Sequence, residues 1–249
     1  MKISAVINTY NSEEHLCACL DSVSEFDEIV ICDMHSTDAT VEIAAGYGAK
    51  IVYFEHTGFV EPARNYAISQ ASNEWVLVVD SDEVVPQALK LYLYDFVNSS
   101  VGEKYSGLFI PRKNYFMGRF MHGAWPDYIL RLVCKSLTHW PTTIHATAHV
   151  EGLTTRIPRR RRDLAFEHLA NETIEQRIAK LNNYTNKERV RRAGQKYSIA
   201  AALFKSSHRF MRMYIYKGGF RDGKAGYVNA MIDAVYKFFT IAKLWENDT

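Results

Sequence analysis

The sequence has no glycine before position 46. A Rossmann dinucleotide site needs glycines directly after its first strand, so that the backbone can approach a pyrophosphate. Sugar-nucleotide pyrophosphorylases carry a glycine-rich loop at the same place, and a P-loop needs GxxxxGK[ST], which is absent. The missing glycines argue against all three. Cysteine is scarce too. The four, Cys17, Cys19, Cys32 and Cys134, show no zinc-type pairing, and Cys17 and Cys19 sit two apart on an expected helix, on different sides. Reduced, mostly buried thiols in a cytosolic protein are expected. No uncharged apolar run approaches the roughly 18 residues of a membrane span. Met1-Lys2 leads straight into ISAVI and then polar NTYNSEEH, so no signal peptide is expected.

What is present is a strand and helix series. Ile3–Ile7, Glu28–Cys32 and Lys50–Phe54 read as strands of a parallel sheet, and the apolar run Trp75–Val79 suits a strand buried on both of its faces. Between them, Asn11 and Glu14 have the spacing of a capping box, and a helix from about Asp38 to Ala45 stops at Gly46 and Gly48. Pro62 and Pro86 open further helices. Residues 106 to about 150 read as a mixed, partly antiparallel extension closing over the site. Helices follow at Ile174–Arg192, Tyr197–Tyr216 and Tyr227–Trp245.

Charge divides the chain. Residues 1 to 155 hold 10 Lys and Arg against 19 Asp and Glu, whereas 156 to 249 hold 20 against 9. A catalytic core over 1–155 and a basic helical extension over 156–249, packing on the core, are expected.

The densest chemistry is in WVLVVDSDEVV, residues 75 to 85. Asp80, Asp82 and Glu83 repel one another at the end of an apolar strand and are costly to desolvate there. A hard cation bound between them would remove that penalty. Asp33 also ends a strand, and ligands of parallel sheets bind beyond such ends. The competing reading is a solvated acidic loop. Asp80-Ser81-Asp82-Glu83-Val84 also fits the DxDx[TV] pattern of haloacid-dehalogenase phosphatases, with Asp80 as nucleophile. In that family the motif follows the opening strand, whereas here about 75 residues precede it.

ISAVINTYNSEEHL (3–16), EIVICDMHSTDAT (28–40), EPARNYAI (61–68) and VLVVDSDEVV (76–85) together resemble the inverting family 2 glycosyltransferases of the GT-A fold. GAWPDYILRL (123–132) and KGGFRDGKAGYVNA (217–230) resemble, more narrowly, the lipopolysaccharide core β-1,4-glucosyltransferase group. The resemblance implies an α/β, Rossmann-like mixed sheet flanked by helices. It implies transfer of a hexose, glucose by this likeness, from a UDP-type nucleotide sugar to a lipopolysaccharide core or related envelope glycan. By the same resemblance Asp33 contacts the nucleotide base, with Thr9 and Glu13 (or Glu14) beside the nucleoside. Asp80, Ser81 and Asp82 form the DxD that holds Mg2+ or Mn2+ on the diphosphate, and Arg64 reaches a phosphate. Met34-His35 departs from the usual SGSTD pattern, which leaves contacts from those two residues open.

An inverting transfer needs a base for the acceptor hydroxyl. Asp127, between Pro126 and Tyr128, matches the family's acceptor-side carboxylate, and a turn-forming or capping Asp is its competing reading. His168 is the candidate extra metal ligand among His145, His149 and His168, each of which also reads as a structural histidine. Arg64 and Arg131 equally read as surface salt-bridge residues. RIPRRRR (156–162) and the aromatic, basic FKSSHRFMRMYIYKGGFRDGK (204–224) lack any nucleic-acid signature. Their composition suits peripheral attachment to the anionic inner face of the cytoplasmic membrane, near a lipid-linked saccharide acceptor, or a helix packing its aromatics inward. A non-catalytic anionic-lipid binder is the remaining alternative.

Overall fold

The computed structural model describes residues 1–58, 60–141 and 147–246. His145 lies outside them. The chain forms two compact units. The first comprises Met1–Arg112 and Pro126–Leu169, and the second Lys113–Trp125 and the residues from Ala170 on. This division differs from the one expected from charge at 155/156, because two short strands beyond 153 still belong to the main sheet.

In the first unit, β1 (Ile3–Thr9), β2 (Glu28–Asp33), β3 (Lys50–Tyr53) and β4 (Trp75–Asp80) run parallel in the order β3-β2-β1-β4. All seven residues of β1 are buried, which explains the apolar run Ala5–Ile7 at its centre. Of its three polar side chains, Ser4 donates to Glu28 Oε2 at 2.5 Å and accepts from Asn73 Nδ2 at 2.9 Å, Thr9 donates to Asp33, and Asn8 Oδ1 has no hydrogen-bond partner among the described residues. Alternate strand residues serve opposite faces. Ile3, Ala5, Ile7, Leu77 and Val79 pack under α1 (Glu13–Val23), α2 (Thr40–Gly46) and α4 (Gln87–Val97). Val6, Val30, Val76 and Val78 pack under α3 (Glu61–Ser69).

Local signals were mostly obeyed. Pro62 sits in the first turn of α3, Pro86 immediately precedes α4, and Gly48 turns left-handed (φ +68°) just after α2. The Asn11/Glu14 capping box does not form. Asn11 adopts φ +47°, and its Oδ1 accepts the Thr37 N–H at 2.8 Å, so a loop-to-loop bond replaces the cap.

Beyond β4 come β5 (Glu83–Val84), β6 (Gly107–Lys113), a hairpin of β7 (Tyr115–Phe116) and β8 (Arg119–Phe120), then β9 (Asp127–Cys134). β9 inserts antiparallel between β4 and β6. β10 (Thr138–His139) pairs with β11 (His149–Val150); β12 (Thr154–Arg156) pairs with β6, and β13 (Phe166–His168) with β5. The mixed, partly antiparallel character expected for this stretch is therefore present.

The second unit contains the β7–β8 hairpin, α5 (Ile174–Arg191), α6 (Ile199–Met211) and α7 (Gly223–Trp245). A Thr173/Gln176 capping box starts α5, and Ser198 caps α6. Phe116, Met121 and Ala225 form its small core, with the Arg177 guanidinium 4.0 Å above the Phe116 ring. The two segments of the narrower resemblance meet in this unit. Buried Asp222 accepts the N–H groups of His122 (2.9 Å) and Gly123 (3.1 Å), and its Oδ1 lies 2.8 Å from His122 Nδ1.

Candidate active site

The parallel register brings the strand ends together. Thr9 lies beside Asp33, and Asn8 beside Asp80. Asp33 is fully buried but well supplied with donors: Thr9 Oγ1 (2.9 Å) and Ser36 Oγ (2.6 Å) to Oδ1, and Ser36 N–H (2.8 Å) to Oδ2. Those bonds fix the carboxylate's direction at the mouth of the sheet. Oδ2 keeps one lone pair for a further donor. Tyr10 stacks on His56 at 3.9 Å and His35 on Tyr53 at 5.6 Å, so aromatic faces surround this end of the sheet. Glu13 lies at the start of α1. It is exposed, and its Oε2 accepts the Ala39 N–H at 2.9 Å.

At the end of β4 three arginines surround the strand-end carboxylates. Arg64 Nη2 donates to Asp80 Oδ1 at 3.0 Å, and Arg131 Nη2 donates to Asp80 Oδ2 and, at 3.4 Å, to Glu83 Oε1. Arg112 Nη1 reaches Glu83 Oε1 at 3.1 Å and lies 4.0 Å from Asp80 Oδ2. Burial alone would raise the Asp80 carboxyl, but Arg131 and then Arg64 outweigh it and hold the group well below the carboxylate range. Glu83, with no exposed side-chain surface, goes the other way. Burial raises it, Arg131 offsets that only in part, and the Asp80 charge adds to the rise. Glu83 Oε2 also accepts the Asp80 N–H at 3.0 Å, tying the turn to the strand.

Two buried guanidinium atoms of this cluster, Arg64 Nη1 and Arg131 Nε, have no hydrogen-bond partner among the described residues. Unpaired buried donors are costly and rare. Arg64 and Arg131 also line a cavity of about 220 Å³ with Trp140 and Tyr128. Such donors suit an anionic group of a ligand.

Asp127 opens β9 directly opposite Arg112 on β6. Arg112 Nε (3.0 Å) and Nη2 (2.8 Å) both donate to Asp127 Oδ2. One guanidinium therefore joins the candidate base to Glu83 and the Asp80 environment. On the other side of the DxD, His168 stands opposite Glu83 in the β13–β5 pair, with Nε2 3.1 Å from Asp82 Oδ2. The Leu169 N–H donates to Asp82 O at 2.8 Å, and Ser81 Oγ to Ser12 Oγ at 3.1 Å. His149 is exposed on β11, paired in register with His139.

Among the described residues no three of His, Cys, Asp and Glu form a group that could hold a metal ion unaided. Asp82 with His168 offers two protein ligands, and Asp80 has both oxygens on arginines. The Asp82 carboxylate suits an Mg2+- or Mn2+-type ion that completes its shell with substrate phosphates and water, whereas the imidazole nitrogen favours the transition metal of the two.

Sequence reasoning missed Arg112 and left Arg131 undecided. The available signal was an arginine inside an apolar strand pattern, YILRLV for Arg131 and FIPRK for Arg112. A buried strand cation requires a buried anion.

Residues 4–117 match the family model for glycosyl transferase family 2. The chain is 26% identical to the lipopolysaccharide core biosynthesis glycosyltransferase LpsC of Rhizobium meliloti, over 99% of this chain and 93% of that one. A poly(ribitol-phosphate) beta-glucosyltransferase of Bacillus spizizenii is 39% identical over 108 residues, 39% of this chain and 17% of that one. The crystal structure of S. aureus TarS 1–349 in complex with UDP shares the fold, with a TM-score of 0.51, 17% identity and coverage of 100% of this chain and 92% of that one. The phosphatase and pure-binder readings lapse, and the GT-A expectation stands. Residues 4–117 thus carry the glycosyl transferase family 2 signature, and the chain as a whole has the GT-A fold and is similar to a lipopolysaccharide core glycosyltransferase.

Proposed function

We propose that the protein transfers a hexose, with inversion, from a UDP-sugar to a lipopolysaccharide core or related cell-envelope glycan. One observation carries the reading: Arg112 binds Asp127 and Glu83 together, which sets an acceptor-side carboxylate one guanidinium away from the strand-end cluster. In this reading Asp127 takes the proton from the acceptor hydroxyl as its oxygen attacks the anomeric carbon. Asp33, steered by Thr9 and Ser36, accepts from the base. Arg64 and Arg131 turn their unpaired donors to the diphosphate, and Asp80 orients both arginines. Asp82 and His168 would hold Mg2+ or Mn2+, which would stabilise charge on the departing nucleotide diphosphate. The name of the Rhizobium meliloti relative supports the acceptor class, and the UDP held by TarS supports the donor nucleotide. Glucose and attachment to an anionic membrane face remain part of the proposal. Among the described residues, no helix is long and apolar enough to cross a membrane.

Calorimetric titration of UDP, GDP, CDP and ADP with and without Mn2+ tests this on wild type and Asp82→Ala. Metal-dependent binding of UDP alone, lost in the variant, is expected. Equal binding with and without metal, or by Asp82→Ala, would remove Asp82 from the metal site.

A further inference from the structure

The second unit holds a cleft of about 600 Å³ between the end of α5, the middle of α6 and the C-terminal half of α7. That volume is within the range of small-ligand sites. Arg191, Arg192, Lys205, Arg209, Arg212 and Lys237 line it. Glu188 is the one carboxylate in the lining, and it is already engaged by Arg191 at 2.5 Å and Arg192 at 2.6 Å. Arg209 reaches Asp233 at 3.2 Å. Lys205, Arg212 and Lys237 have no carboxylate partner among the described residues.

Arg191 and Arg192 have a local explanation, since cations at a helix C-terminus complement its dipole. Arg209, in the last turn of α6, has the same explanation and a partner in Asp233, but Lys205 on α6, Arg212 just past its end and Lys237 on α7 converge on the same concavity, where mutual repulsion opposes folding. Burial, and then the charges of Arg192 and Lys205, lower the pKa of the Lys237 ammonium. An anion bound between them would relieve that cost, and phosphate matches the mixture of arginine forks and lysine point charges.

We propose that this cleft is a binding site for a phosphate-bearing ligand, a phosphomonoester or diphosphate carried on a soluble sugar or on a lipid headgroup. Its lining shares no residue with the proposed donor site, and the proposal does not depend on the identity of the transferred sugar.

The test is titration of the full chain, in EDTA at low salt, with inorganic pyrophosphate, and in parallel with phosphatidylcholine vesicles with and without phosphatidic acid. Lys237→Gln should weaken binding about tenfold, the size expected for one charge-assisted hydrogen bond, and Lys237→Arg should retain it. Lys224→Gln, exposed near the start of the same helix, should have no effect. Binding of pyrophosphate alone assigns a soluble ligand, and capture of the phosphatidic acid vesicles alone assigns a lipid. If neither probe binds, or Lys224→Gln weakens binding as much as Lys237→Gln, the site does not exist. UDP titration with Mn2+ on the same variants keeps the outcome distinct from that of the donor site.

Discussion

Replacing Arg131 with methionine tests the claim that arginines neutralise the strand-end carboxylates. Methionine keeps much of the stem's volume and removes the charge. In the wild type Arg131 is bonded to both Asp80 and Glu83 and is 6% exposed. Breaking a fully buried pair by removing one partner costs about 3–5 kcal/mol. Asp80 is 32% exposed, and Arg64 and Arg112 remain in place, so a loss of about 2–3 kcal/mol at pH 7 is expected. The pH dependence carries a sign. In the wild type the depressed Asp80 carboxyl stabilises the fold above its ordinary value of 3.8, and this is lost only in strong acid. In Arg131→Met both carboxyls shift upward, so the folded state takes up protons that the unfolded chain does not. The variant then regains stability as pH falls from 7 to 5, by about 1 kcal/mol if one shift approaches one unit. Urea unfolding of both proteins at pH 7 and pH 5, followed by tryptophan fluorescence, measures this. A loss under about 0.5 kcal/mol at pH 7, or one that grows toward pH 5, would refute the neutralisation argument.

Asp127→Asn should lower kcat by about 10²–10⁴ with UDP affinity unchanged, as expected for loss of a general base; a simultaneous collapse of UDP binding would assign Asp127 to holding Arg112 instead. In the second unit a Cβ on Gly226 would lie 1.9 Å from the Gly219 carbonyl oxygen. Gly226→Ala should therefore destabilise by about 1–3 kcal/mol, the range for overpacking, and an unchanged midpoint in thermal unfolding followed by circular dichroism would contradict that close approach.

Local sequence determined the strand and helix series of the first hundred residues. Each strand buried on both faces must be a short apolar run, and each change to polar residues marks its end, so Asp33 and Asp80 could be placed at strand ends in advance. The family motifs supplied the candidate roles. Tertiary structure decided what those side chains touch. Arg112 is 15 residues from Asp127 and 29 from Glu83, and only the β6–β9 register and the turn after β4 make them neighbours. The same holds for His168, brought 86 residues back to Asp82 by the pairing of β13 with β5. Charge totals likewise located the basic half but not the boundary, because strand pairing keeps 154–156 and 166–168 in the main sheet. A sequence records which charges a chain carries. Which of them cancel depends on long-range pairing, since a buried charge is tolerated only where the fold sets its partner within a few ångströms.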